Sequence, residues 1–208
     1  MATLKLIPMF KKVLFGAVCL GMFSFTLTVN AQDKTKEELK AERDALKTEY
    51  KSQEHKDRQK KLDELTAKPP KECGVASVDG LASDSKKMLD SQKTINGILP
   101  EMYQRSVGEP IDGVTAVTEK KMSKEELLGA LVGLSTSLAS QVLAVKDASG
   151  KVTNATNDIK GLNPMKAPTA TKSLNYSKDV LNALTNELAL EGKIVANLIS
   201  TVKSSGNL

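Results

Sequence analysis

Aliphatic residues recur at every seventh position over the last third of the chain. The series consists of Leu174, Leu181, Leu188, Val195 and Val202, with Leu184 and Leu198 at the alternate positions. A spacing of seven places these side chains on one stripe of an α-helix, where they pack against neighbouring helices. The sequence therefore predicts a long core helix after Pro168.

Two earlier segments repeat this spacing. The first contains Leu81, Met88, Ile95 and Met102, with Leu99 at the alternate spacing, and the second contains Leu131, Leu138, Val145, Val152 and Ile159. Gly97 and Pro100 predict a kink or break in the first helix. Ser123 and Glu126 form a capping-box pattern that predicts the start of the second helix, and Gly161 predicts its end after Lys160.

These periodicities predict an all-α fold, an elongated antiparallel three-helix bundle with coiled-coil-like packing over residues 71–208. The glycines and the proline between Arg105 and Met122 predict a crossover connection.

Residues 32–70 have a different composition and predict one charged helix that ends at Pro69-Pro70. More than half of the residues between Asp33 and Lys68 carry a charge of one sign or the other. Only a thin apolar stripe interrupts them, made of Leu39, Leu46, Tyr50, Leu62 and Leu65. We expect a solvated arm; the alternatives are a fourth bundle member docked along a narrow seam and a coiled-coil arm for a partner.

The first 31 residues have the layout of a signal peptide. Three lysines precede an apolar run from Val13 to Val29, and Val29-Asn30-Ala31 provides a cleavage site after Ala31. We expect a periplasmic or secreted protein. An uncleaved membrane anchor and a lipid-modified Cys19 are the weaker alternatives, and they offer the only membrane contact that we expect.

Cleavage would also change the composition. The leader carries three lysines and no acidic residue, so the net charge would fall from +5 to +2. A nearly balanced surface provides no electrostatic footprint for nucleic acid. The remaining chain has three tyrosines as its only aromatic residues, which argues against a dedicated glycan or base site.

The sequence contains no recognisable catalytic, cofactor-binding or metal-binding motif, so we expect no enzyme and no cofactor. The single histidine, His55, lies among charged residues and is predicted to be a solvated surface residue. After cleavage Cys73 would be the only thiol, predicted to be a lone thiol rather than an interchain disulfide. Glu37-Glu38 and Glu125-Glu126 are interpreted as favourable charges in first helical turns.

Three functional hypotheses follow from these observations. The first is a scaffold or self-associating interaction protein of the cell envelope, which has protein partners or binds itself. The second is a periplasmic holdase or a carrier of lipid or another apolar ligand, for which Met88, Met102, Met122 and Met165 would provide adaptable surface. The third and weakest is an enzyme. In layout, with the leader ending at Ala31-Gln32-Asp33, the chain resembles exported helical proteins of Gram-negative bacteria.

Overall fold

A computed structural model describes residues 34–115 and 121–204. These residues form an all-helical unit with no strand among them, and the predicted fold class is confirmed. The helices are α1 (Lys36–Tyr50), α2 (Gln53–Ala67), α3 (Ala76–Val107), α4 (Lys124–Lys160) and α5 (Ala167–Ser204). The predicted leader and its cleavage site lie outside the described residues.

The three long helices form the core that the periodicity predicts. Every member of the α5 series is buried, and so are Leu81, Met88, Ile95, Leu99 and Met102 of α3. Leu131, Leu138 and Val145 of α4 are buried against them, whereas Val152 and Ile159 are partly buried at its far end.

The predicted break in α3 is wrong, because α3 is a continuous helix through Gly97 and Pro100, and the predicted kink stays a prediction. Proline removes one backbone hydrogen bond and glycine disfavours a helix by about 1 kcal/mol. Burial of Leu99, Met102 and Tyr103 on either side of these positions compensates for that loss. Tertiary packing thus overrides the local signal.

The predicted start of α4 is confirmed. The Ser123 hydroxyl accepts a hydrogen bond from the Glu126 amide at 3.1 Å, and the Glu126 carboxylate accepts one from the Ser123 amide at 2.7 Å. The same arrangement begins α1 at Thr35 and Glu38. Thr35-Lys-Glu-Glu is almost identical in sequence to Ser123-Lys-Glu-Glu, so this second box was available to sequence reasoning and was missed.

The charged N-terminal region is neither a single helix nor a solvated arm, and both predictions are corrected. It breaks at Lys51 and Ser52, because the Ser52 hydroxyl caps a new helix by accepting from the His55 amide at 3.2 Å. Both halves dock along the thin apolar seam, which buries Leu39, Leu46, Leu62 and Leu65. The charged segment is thus a fourth member of the bundle.

The four members are arranged with α3 and α5 at the centre. The α1–α2 pair contacts α5 and, through α2, also α3, while α4 contacts α3 and α5 from the other side. No contact joins α4 to α1 or α2 within the described residues. The bundle therefore has two outer flanks, one formed by α1 and α2 and the other by α4.

The crossover after α3 is anchored at its beginning. Gly108 ends α3 in the left-handed conformation, with φ of 85°, which glycine adopts without steric cost. Ile111 is fully buried, and Glu109 forms an ion pair of 2.8 Å with Lys47 of α1. These contacts attach the crossover to both the core and the α1–α2 flank.

Candidate functional site

Two features of the described residues go beyond plain helix packing. One is a group of polar side chains inside the bundle, and the other is an uncharged outer surface on α4 with a groove beside it.

His55 belongs to the interior group. The prediction that it is a solvated surface residue is wrong, because only 4% of its surface is exposed. The His55 Nε2 atom lies 2.9 Å from the Glu187 carboxylate of α5, which is completely buried. Its ring also stacks on Tyr50 at a centroid distance of 4.3 Å. The partner is 132 residues away in sequence, so local composition carried no information about this contact.

Within the described residues, the three side chains that form hydrogen bonds with Glu187 all come from α2. Besides His55, Arg58 Nε donates to Glu187 at 3.3 Å and Gln59 Nε2 donates at 2.7 Å. A buried carboxylate is tolerated only when such partners replace water. We call Glu187 with His55, Arg58 and Gln59 the α2 anchor, since it attaches α2 to α5.

A second polar group crosses the core and is made of Gln92, Gln141 and Glu191, one residue from each long helix. Gln141 Nε2 donates to the Gln92 side-chain oxygen at 2.9 Å, and Gln92 Nε2 donates to Glu191 at 2.8 Å. All three side chains are at least 95% buried. We call them the polar layer.

The polar layer and the α2 anchor are connected through Asn96. Its Nδ2 atom donates to the Gln59 oxygen at 2.6 Å, and its Oδ1 atom accepts from Gln92 at 2.6 Å. The two groups therefore form one hydrogen-bonded network from α2 to α4.

Glu191 is the least satisfied member of this network. Burial raises the pKa of Glu191 well above its usual range, and the nearby Glu187 raises it further, although the hydrogen bond from Gln92 opposes both effects. Its Oε2 atom has no hydrogen-bond partner among the described residues. Burial of Tyr50 raises the pKa of its hydroxyl, and the nearby carboxyl groups of Glu191, Asp112 and Glu187 raise it further.

The chemistry available to this network is limited by access. An acid–base pair needs a substrate within hydrogen-bonding reach, yet His55, Glu187 and Glu191 are each more than 95% buried. Across residues 34–115 and 121–204, no group of three or more His, Cys, Asp or Glu side chains is placed to hold a metal ion. The geometry is that of a structural network that fixes the register of the helices.

The second feature begins with a groove of about 950 Å³ between α3 and α4. Its apolar lining includes Met88, Ile95, Ile98, Met102 and Leu134. Gln141 also lines it, so the polar layer reaches the groove. At one end Asp84 and Asp147 are both paired with Lys151, at 3.1 and 2.7 Å, and Asp84 also lies 3.7 Å from Lys87, so the four charges of that end balance.

The side of α4 beside the groove is exposed and uncharged. No charged residue occurs from Leu127 to Val145, although eight of these 19 residues are exposed. We call its exposed residues the α4 outer face: Gly129, Val132, Gly133, Thr136, Ser137, Ser140, Leu143 and Ala144. Val132 and Leu143 are 53% and 66% exposed.

Length and composition alone would allow α4 to cross a membrane, and only 28% of its most apolar stretch is buried in the bundle. In the fold described, however, its other side packs against α3 and α5.

The glycines of the α4 outer face pack against no other element of residues 34–115 and 121–204. Among these residues, a Cβ atom added at Gly129 or Gly133 would meet nothing within 4 Å. Each glycine disfavours the helix by about 1 kcal/mol relative to alanine. The packing of the described helices therefore requires neither glycine.

Cys73, predicted to be a lone thiol, is a free cysteine that is partly buried before α3. Its thiol lies 3.1 Å from the Asp79 carboxylate. Burial and this hydrogen bond raise the pKa of Cys73, which makes the thiol a poor nucleophile. The distinction between a lone thiol and an interchain disulfide stays a prediction.

Sequence reasoning named no site residue, although the polar layer had a readable signal. Glu191 lies midway between Leu184 and Leu198, at the same alternate position of the α5 repeat. Gln92 and Gln141 occupy equivalent positions in the repeats of α3 and α4. A polar residue at a core position of each long helix indicates a buried polar layer.

Comparison of the chain with protein-family models, with curated protein sequences and with solved structures finds no match.

Proposed function

We propose that this protein is an exported, non-enzymatic helical bundle that acts through its surface, as a scaffold or self-associating interaction protein of the cell envelope. The observation that carries the proposal is the α4 outer face, a 19-residue stretch without charge whose outward side chains remain exposed. An uncharged surface that exposes the large apolar side chains Val132 and Leu143 beside an apolar groove is typical of protein interaction sites.

The groove supports a helical partner in particular. It is open along α3 and α4, and its apolar lining includes Ile98, which is 40% exposed, whereas Met88, Ile95 and Met102 are at least 94% buried beneath it. An amphipathic helix presents one apolar stripe and binds grooves of this kind. The neutral end of the groove disfavours a strongly charged partner.

The non-enzymatic part of the proposal is supported by the burial of the polar network. His55 and Glu187 are the best acid–base pair among the described residues, and both are closed to substrate. Export is supported by the sequence of the first 31 residues alone.

A photo-crosslinking amino acid placed at Val132 tests the proposed surface in intact cells, with the same substitution at exposed Asp63 of α2 as the matched control. We expect a defined protein crosslink from position 132 and none from position 63. Equal labelling from both positions, or none from either, would contradict the proposal. Amino-terminal sequencing of the purified protein tests export, with Gln32 expected as the first residue and an intact leader as the contrary result.

An apolar-ligand carrier is the second candidate, favoured by the methionines and the size of the groove, which falls within the range of small-molecule sites. Native mass spectrometry of protein isolated from its own compartment tests it. A bound lipid that disappears when Ile98, which lines the groove and is 40% exposed, is replaced by Lys would favour the carrier. Protein without ligand would count against it.

A further inference from the structure

The corner of the bundle where α4 turns into α5 carries lysines around an exposed methionine. Four residues form what we call the basic corner: Lys160, Met165, Lys166 and Lys172. We propose that the basic corner binds the surface of a bilayer that contains anionic phospholipid, with Met165 in the interface and the lysines beside the phosphate groups. This inference goes beyond the proposed function, because it concerns lipid and does not depend on the α4 outer face. It adds a membrane contact to those expected at the amino terminus.

The chain around the basic corner carries positive charge alone. From Ile159 to Lys178 the sequence contains four lysines and no acidic residue. The two acidic residues that flank this stretch have partners on other helices. Asp158 accepts a hydrogen bond of 2.6 Å from Ser77 of α3. Asp179 forms an ion pair of 3.1 Å with Lys61 of α2. The positive charge of the stretch is therefore not neutralised by its neighbours in sequence.

The three lysines of the basic corner are available to an external anion. All three are exposed, and none forms an ion pair with a carboxylate among residues 34–115 and 121–204. Lys160 makes one long contact of 3.4 Å, to the neutral side chain of Asn157. Lys47 and Lys151, in contrast, each pair with a carboxylate. Clustered lysines close to a membrane attract anionic lipid headgroups.

Met165 provides the apolar part of the corner. Its side chain is 89% exposed, more than any other large apolar side chain that the structure describes. It is the third residue of a turn in which the Lys166 amide donates to the backbone oxygen of Asn163 at 3.1 Å and to its side-chain oxygen at 3.0 Å. Pro164, the second residue, favours such a turn because its φ is fixed. An apolar side chain held among cations is the combination by which proteins bind the membrane interface.

The position of the basic corner leaves the α4 outer face accessible. The corner lies at one end of the bundle, between the last residue of α4 and the first turns of α5. Ala144, at the near end of the α4 outer face, precedes Lys160 by 16 positions, and this separation is about 24 Å along a helix. A chain bound to lipid through the corner can therefore still bind a protein partner. One apolar side chain and three cations make the contact peripheral and reversible.

A fluorescent reporter tests the contact, because the chain contains no tryptophan. Protein isolated from its own compartment and carrying Met165→Trp is mixed with vesicles of phosphatidylcholine, alone or with added phosphatidylglycerol. We expect its emission to move to shorter wavelength with the mixed vesicles only. Val114→Trp is the matched control, because Val114 is 82% exposed but lies in the crossover beyond the other end of α3, and its emission should not change.

Three results would overturn the proposal. The first is no change in emission at position 165, and the second is an equal change at positions 165 and 114. The third is an equal change at position 165 with both kinds of vesicle, which would remove the role of anionic lipid.

A charge variant tests the lysines. Lys166→Gln should lower the partition coefficient for the mixed vesicles about fivefold. Salt at 1 M, which shortens the Debye length to about 3 Å, should abolish the difference between variant and wild type. Lys56→Gln is the matched control, because Lys56 is an exposed lysine of α2, and it should leave partitioning unchanged. Equal losses from the two variants would overturn the assignment of the corner.

The outcomes separate this inference from the proposed function. Protein that crosslinks to a partner from position 132, but shows no response to vesicles, would overturn the lipid contact and leave the interaction role in place. A photo-crosslinking amino acid at position 165 that captures an acidic protein, in a chain that does not bind the mixed vesicles, would also overturn the lipid contact.

Discussion

The two outer flanks of the bundle occupy equivalent positions and have opposite surfaces. The α1–α2 flank exposes charged side chains such as Glu37, Lys40 and Asp63, and it buries a carboxylate with three polar partners at its inner side. The α4 flank packs through leucines and exposes an uncharged surface between Leu127 and Val145. On the α1–α2 flank, most of the side chains that face solvent are charged. Because the exposed side chains of α4 between Leu127 and Val145 carry no charge, we infer that this surface contacts another molecule.

The comparison implies that substitutions in the buried polar network change stability strongly, whereas substitutions on the α4 outer face change it by no more than about 1 kcal/mol. Four predictions test that division, from the largest effect to the smallest.

Glu187→Ala should lower the free energy of unfolding by about 3–5 kcal/mol, because it leaves His55, Arg58 and Gln59 without their buried acceptor. Urea denaturation measures the change. Glu54→Ala is the matched control, since Glu54 pairs with the same Arg58 but its side chain is 85% exposed, and it should cost less than about 0.5 kcal/mol. A loss below about 1 kcal/mol for Glu187→Ala would mean that the α2 anchor does not stabilise the fold. Equal losses for the two variants would mean the same.

Glu191→Gln should stabilise the protein at neutral pH and have little effect near pH 4. The folded-state pKa of Glu191 is raised, so below its unfolded value the carboxyl is neutral in both states and costs nothing. As pH rises above that value, the unfolded chain ionises first and the wild-type protein loses up to about 1.4 kcal/mol per pH unit relative to the variant.

Unfolding free energies of wild type and Glu191→Gln across this pH range check the sign. Glu64→Gln serves as the control, because it removes the same charge from an exposed position outside the network. A destabilising effect of Glu191→Gln that grows with pH would contradict the argument.

Gly133→Ala should raise the free energy of unfolding of the monomer by about 0.5–1 kcal/mol, because alanine favours the helix and its methyl group enters open space. Thermal or urea denaturation at low protein concentration measures this. If Gly133→Ala destabilises the monomer, then an element of the same chain approaches the α4 outer face, and the two flanks differ less than we infer.

Leu143→Lys should change the stability of the monomer by no more than about 0.5 kcal/mol, since the side chain is largely exposed. The same denaturation experiment at low concentration measures it. A loss several times larger would place Leu143 in the core and remove the basis for a separate interaction surface.

Most of the fold could be predicted because the relevant signal is local. Leu174 to Val202 define their helix through spacing alone, and Ser123 with Glu126 defines a helix start through four adjacent residues. The docking of α1 and α2 could not be predicted in the same way, because His55 and Glu187 meet only after the chain has folded back. Pro100 was misread for the complementary reason: its local effect is real, but the packing of Leu99 and Met102 outweighs it.

The interior polar network was partly predictable. Glu191, Gln92 and Gln141 each interrupt an aliphatic repeat at a core position, and that coincidence across three helices could have been noticed. The α4 outer face was equally visible as a run without charge. Which side of that run stays exposed depends on the positions of α3 and α5, and periodicity alone does not determine those positions.

The break at Ser52 has a consequence for the order of folding. Helices of 15 residues, such as α1 and α2, are marginal in isolation, and the side chains that hold them, Glu187 and Asn197, are near the carboxyl end of the chain. Helices α1 and α2 therefore cannot become stable until α5, which is synthesised after them, is complete. Their backbone amides should exchange with solvent deuterium sooner than those of α5, through openings that leave the three long helices assembled.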